Sequence, residues 1–184
     1  MEFLNKLSNK FSNKSLLYLI IISILSTFLT YYLLNLSLQL SGDIINPIMS
    51  QLSFSGEFLK NQYLYMINYG NIRFYIIAQC IDYAFMISYG ILLISISILL
   101  SKKFEDNIKW KKLCQYFAFF SIIAPIADAF ENLLIITLYS PLTFPNWLAI
   151  LHSIFALIKW SLLIIVIMGL LISAIFKLLI KYKI

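Results

Sequence analysis

Apolar positions along the chain fall into four long runs, separated by short stretches in which lysine, asparagine, glycine and proline collect. Ser15–Leu40 carries no charged side chain over about 26 residues. At 1.5 Å rise per residue such a helix crosses a hydrocarbon layer of roughly 30 Å with some tilt. Phe74–Leu100, Leu113–Tyr139 and Trp147 to about Ile172 are runs of the same kind. The pattern predicts an all-α polytopic membrane protein. It is a four-transmembrane-helix bundle in a single membrane domain over residues 1–184, with spans at about 15–40, 74–100, 113–139 and 147–172. Residues 173–184 form a tail that can continue as an amphipathic helix through Lys177, Lys181 and Lys183. The first run follows Lys6, Lys10 and Lys14, as a signal peptide would. It exceeds a cleavable apolar segment of about 7–15 residues and no small-x-small site follows it, so a retained anchor is expected.

The connections differ in kind. Ser140–Asn146 reads as a tight turn built on Pro141 and Pro145. Ser41–Asn71 is too long for a turn and too polar to span. Within it Phe54, Phe58, Leu59, Met66 and Ile67 recur at helical spacing, with Glu57, Lys60, Asn61 and Asn68 between them. This predicts an extra interfacial helix between helices 1 and 2, aromatic face down, stopped by Gly70 as its C′ residue.

Composition agrees with this reading. Apolar residues make up 61% of the 184, charged residues 12%, and mean hydropathy is +0.89. Soluble domains carry about 25% charged residues, and so short a chain has too little interior to hide so many apolar ones. Soluble globular, disordered, collagenous and coiled-coil classes are excluded. The net charge of +6 does not indicate nucleic acid, because the basic residues sit in clusters at the ends of the runs and not along one stripe. Eleven of the 14 lie in the N-terminal stretch, the Ser101–Lys112 loop and the C-terminal tail; Lys60 and Arg73 lie on the other side, and Lys159 is inside the fourth run. By the positive-inside rule both termini are expected to be cytoplasmic. Cys80 and Cys114 fall at different depths and are read as packing residues.

Against this apolar background five ionisable side chains stand out. Asp82 lies in the second run, Asp128 and Glu131 in the third, His152 and Lys159 in the fourth. Such groups cost roughly 2.5–3.5 kcal/mol each on insertion scales and by default mark a functional site. Counted inward from the outer ends at 1.5 Å per residue, Asp82 and Glu131 lie about 12 Å deep, Asp128 about 17 Å, His152 about 8 Å and Lys159 about 18 Å. They share one slab between the outer interface and the midplane. Facing agrees with depth: Asp128, Glu131 and Asn132 are spaced i, i+3, i+4 on one stripe. His152 and Lys159 are seven apart, and Gln79, Asp82 and Tyr83 share a stripe that continues to Tyr89. The first helix offers Ser23, Thr27, Thr30, Tyr31 and Asn35. A bundle turning these stripes inward would enclose a polar core that opens outward. Pairing Lys159 with Asp128, or with Glu131 as second choice, leaves two carboxylates, so the cluster is expected to hold an exchangeable proton. Such groups also serve as glue between helices, and five at one depth tip the reading toward a site.

No nucleophile elbow, P-loop, C-x-x-C or intramembrane-protease G-x-G-D is present, and one histidine excludes His-rich di-metal centres. Asp128, Glu131 and His152 lack metal-ligand spacing, so no metal and no cofactor is expected. Gly90 and Gly169 lack G-x-x-x-G spacing, so no dimer face can be read. The leading reading is a non-enzymatic protein whose polar core binds or passes a small polar or protonatable ligand, at Arg73, Asp82, Asp128, Glu131, Asn132, His152 and Lys159. As a transporter it would need to assemble with copies of itself. Two others stay open: an enzyme on a lipid-soluble substrate using carboxyl acid/base chemistry, and a scaffold using its lysine-rich loop on anionic lipid or a partner.

Two stretches carry a resemblance. One is Tyr69-Gly70-Asn71-Ile72-Arg73-Phe74-Tyr75, then Asp82, then Tyr89-Gly90; the other is Pro125-Ile126-Ala127-Asp128-Ala129-Phe130-Glu131-Asn132, with Lys159 one helix later. Together they resemble a group of small, mostly bacterial four-helix integral membrane proteins of unassigned function. The group implies the same fold and singles out Arg73, Asp82, Asp128, Glu131, Asn132 and Lys159. It implies no activity.

Overall fold

A computed structural model describes residues 2–42, 45–138 and 143–182. Seven helices follow in order among the described residues: α1 (Glu2–Lys10), α2 (Asn13–Ser41), α3 (Pro47–Gln51), α4 (Gly56–Tyr69), α5 (Ile72–Lys103), α6 (Ile108–Leu138) and α7 (Asn146–Tyr182). No strand occurs among these residues. Four helices (α2, α5, α6 and α7) are long and apolar enough to cross a membrane. The chain is thus an all-α, multi-pass integral membrane protein.

Helix ends follow local chemistry. Ser12 Oγ accepts from Ser15 N at 3.1 Å and opens α2, and Asn71 Oδ1 accepts from Arg73 N at 3.2 Å and opens α5. Asn107 Oδ1 accepts from Trp110 N at 3.3 Å, so α6 starts five residues ahead of the apolar run and carries Lys109, Lys111 and Lys112 on its first turns. The fourth run and its tail are a single 37-residue helix. Lys183 lies outside the described residues, as do Ser140, Pro141 and Leu142 of the turn expected at Ser140–Asn146. The N-terminal stretch is itself helical. Leu7 of α1 and Phe11 beyond it pack against Leu16, Ile98 and Ala118.

The four long helices form a row. α2 packs along α5, α5 along α6 and α6 along α7, with a lighter diagonal contact between α5 and α7. α2 and α7 do not pack along one another. The start of α2, the α5–α6 loop and the last turns of α7 meet at one end, where Phe104, Trp110 and Phe176 stack at centroid separations of 4.3–6.4 Å.

At the opposite end α3 and α4 lie across the bundle. The predicted extra helix is α4, with a different inward face. Leu59, Tyr63 and Met66 are buried against Tyr75, Ile135, Leu138, Phe144 and Ala149. Phe54, Phe58 and Ile67 remain exposed. The i, i+4, i+7 set docks on the bundle, where burying Leu59 and Met66 stabilises by roughly 1.5–3 kcal/mol each. The aromatic stripe is the outer one. Gly70 ends α4 as expected, but by a different device: its φ of −125° is not left-handed. A Cβ there would overlap the Ser41 carbonyl, whose oxygen accepts from Asn71 N at 2.9 Å. Gly70 is small so that the ends of α2 and α4 can touch. The left-handed glycine is Gly42, at φ +74°, whose N–H returns to Gln39 O at 3.1 Å and closes α2.

Candidate ligand-binding site

α6 supplies the centre. The i, i+3, i+4 spacing turns Asp128, Glu131 and Asn132 inward, and they are 2%, 0% and 0% exposed. From α7 comes Lys159, 4% exposed. Its Nζ lies 2.9 Å from Asp128 Oδ1 and 2.6 Å from Glu131 Oε2. The expected Lys159–Asp128 pair is present, and the same ammonium also engages Glu131. A long flexible stem between two carboxylates one helical turn apart can serve both. Tyr89 of α5 donates its hydroxyl to Asp128 Oδ2 at 2.8 Å. His152 Nε2 stands 3.7 Å from Glu131 Oε1, beyond hydrogen-bond length, and neither ring nitrogen has a hydrogen-bond partner.

Asp82 is held separately. Asn132 Nδ2 donates to its Oδ2 at 2.7 Å. Among the described residues Asp82 forms no ion pair, and its Oδ1 accepts no hydrogen bond. Asp82, Asp128, Glu131, Asn132, His152 and Lys159 therefore converge as depth and facing predict. Arg73 does not join them: it is exposed on the first turn of α5, about 13 Å of helix rise from Asp82. Tyr83 donates its hydroxyl to Ala129 O at 3.1 Å and not to a carboxylate.

The charged cluster belongs to three helices and not four, and α2 reaches the adjoining cavity with Tyr31 and Asn35. On α2, Ser23 and Thr30 return their hydroxyls to their own helix at Leu19 O and Ser26 O, and Ser26 meets Ser88 of α5 at 2.7 Å. α2 stands off from the charged cluster because its stripe is spent on its own backbone and on α5. The space left open is a cavity of about 520 Å³ between α2, α5 and α7. Gln79, Asp82, Tyr89, Asp128 and Lys159 lie on its polar wall; Tyr31, Leu34, Phe85, Leu163 and Ile167 are on its apolar one. On this side, among the described residues, α2 and α7 do not pack along one another.

α3 roofs the cavity at the α4 end. Asn46 Oδ1 caps it by accepting from Ile48 N at 2.9 Å, and Pro47 follows at the first helical position. Gln51 Oε1 accepts from Trp160 Nε1 at 2.9 Å and ties this roof to α7. Neither Gln51 nor Trp160 was among the candidates, though Asn46-Pro47 was a legible helix start.

Among the described residues no group of three His, Cys, Asp or Glu side chains is placed to hold a metal ion. Cys80 and Cys114 form no disulfide among the described residues, the first being exposed and the second buried. Comparison with family models, curated proteins and solved structures finds no match.

Proposed function

We propose that the protein binds a small ligand with a polar or protonatable end inside the membrane, in the cleft between α2 and α7. The observation that carries this is the cavity of about 520 Å³ whose polar wall holds Asp82, Asp128 and Lys159. Ligand pockets run about 300–1,000 Å³, mostly apolar with a few placed polar groups, and intramembrane charges that do not face lipid are rarely idle. The open α2–α7 side gives a lipid-dissolved molecule a route in. The basic clusters gathered at the end opposite α3 and α4 support cytoplasmic termini and a cavity nearer the outer leaflet. Passing the ligand across the bilayer, as opposed to holding it, would require a second copy, since four helices without inverted repeats provide half of an alternating-access site. The resemblance to small bacterial four-helix proteins belongs to this same proposal.

Native mass spectrometry on protein taken directly from membranes into a polymer belt tests the reading. A discrete small-molecule adduct on the wild type that is lost in Leu163→Trp, where the indole fills the cleft, is the expected result. Identical spectra for the two proteins would contradict it.

A further inference from the structure

The cleft's wall is not neutral toward its occupant. Three carboxylates, Asp82, Asp128 and Glu131, face one ammonium, and that ammonium is already committed to two of them at 2.9 and 2.6 Å. His152 Nε2 lies 3.7 Å from Glu131 Oε1. Asp82 is thus a carboxylate with one oxygen fixed by Asn132 and the other without a protein partner. One turn earlier on the same face stands Gln79, 8% exposed and lining the cavity. Its side-chain amide makes no hydrogen bond with any described residue. With no described partner and lining the cavity, that amide is open to a ligand group that accepts or donates there. Beside these two groups the wall is aromatic: Tyr31 and Phe85 pack at 6.0 Å, and Phe85 and Tyr89 at 5.4 Å.

A carboxyl group lacking a cation of its own, within an aromatic lining, is the chemistry that recognises ammonium groups, which take the place of the proton it would otherwise hold. An anion would meet Asp82 unshielded; a neutral polar molecule would leave the charge as it is. Resting on the ligand-cavity reading above, we infer that the occupant is a cationic amphiphile, an alkylated ammonium whose charged end sits at Asp82 and Gln79 and whose apolar body lies along Leu34, Leu163 and Ile167.

Calorimetric titration of the full chain in zwitterionic-lipid nanodiscs, with empty discs subtracted, tests this with three probes of one tail length: decylammonium, decanol and decyl sulfate. The cation should bind wild type about tenfold or more tightly than decanol, with decyl sulfate weakest. Asp82→Asn, which keeps the acceptor for Asn132, should erase most of that preference, and Asp82→Glu should restore it. Equal binding of cation and decanol by the wild type would overturn the charge assignment and leave the cavity reading standing. Tightest binding of decyl sulfate would transfer recognition to Lys159 and also overturn it. Binding of no probe above empty discs would remove both. The three wild-type titrations decide the matter even if a variant fails to fold.

Discussion

Lys159→Met is the perturbation whose consequences the geometry fixes most closely. The ammonium lies 2.9 Å from one buried carboxylate and 2.6 Å from another. At an effective dielectric of ~20, each contact carries a gross attraction of about 6 kcal/mol, most of it offset by desolvation of the three groups. Methionine keeps the volume and removes the charge, so the offset remains and the attraction goes. Stranding a buried partner costs about 3–5 kcal/mol, and that range is the expected loss. The two carboxylates will not share it equally. Asp128 retains the Tyr89 hydroxyl at 2.8 Å, whereas Glu131 keeps only His152 at 3.7 Å. Adding Glu131→Gln to Lys159→Met should therefore recover more stability than adding Asp128→Asn. Equilibrium unfolding in mixed micelles, followed by circular dichroism, reads all four proteins on one scale. A Lys159→Met protein within ~0.5 kcal/mol of wild type would refute the bridging lysine. Larger recovery from Asp128→Asn would refute the assignment of Glu131 as the more dependent partner.

Three further outcomes follow from particular contacts. Asn132→Leu removes the 2.7 Å bond to Asp82 and should cost about 1.5–3 kcal/mol by the same unfolding assay, with a smaller loss in an Asp82→Leu background. Gly70→Val places a side chain against the Ser41 carbonyl and should destabilise by ~1–3 kcal/mol; no loss would mean that the α2 and α4 ends are not in close contact. Cysteines introduced at Asn61 and Lys109 should be modified by a membrane-impermeant reagent in intact cells at Asn61 alone, and modification at Lys109 would reverse the proposed orientation.

Much of the fold could be read from the chain because the bilayer simplifies the rules. A helix that must satisfy its own backbone and cross about 30 Å announces itself by length and by absence of charge. The inward face of α6 was equally legible, since Asp128, Glu131 and Asn132 are polar residues that lipid would reject. The α4 face was not. Its segment mixes aromatic residues on both sides, and docking of Leu59, Tyr63 and Met66 on the bundle depends on Ile135 and Phe144, which come from distant parts of the chain, as well as on Tyr75 of the next helix. Arg73 is singled out by the Tyr69–Tyr75 stretch of the resemblance, whereas about two and a half turns of α5 carry it away from Asp82. The stand-off of α2 was hidden for a similar reason. Its hydroxyls read as a polar stripe, but serine and threonine in an apolar helix can satisfy themselves on the carbonyl four residues back. Sharing of Lys159 between two carboxylates depended on the relative rotation of α6 and α7, which no spacing within either helix specifies.

The central claim is that the space between α2 and α7 is a ligand site and not a packing gap. The most direct measurement is a structure of the full chain extracted with its own lipid and without detergent, at a resolution that shows small molecules. The account predicts α2 and α7 apart, and density in the cleft in contact with Asp82 and Gln79. A cleft closed by α2 packing onto α7, with the carboxylate of Asp82 satisfied by protein alone, would contradict it.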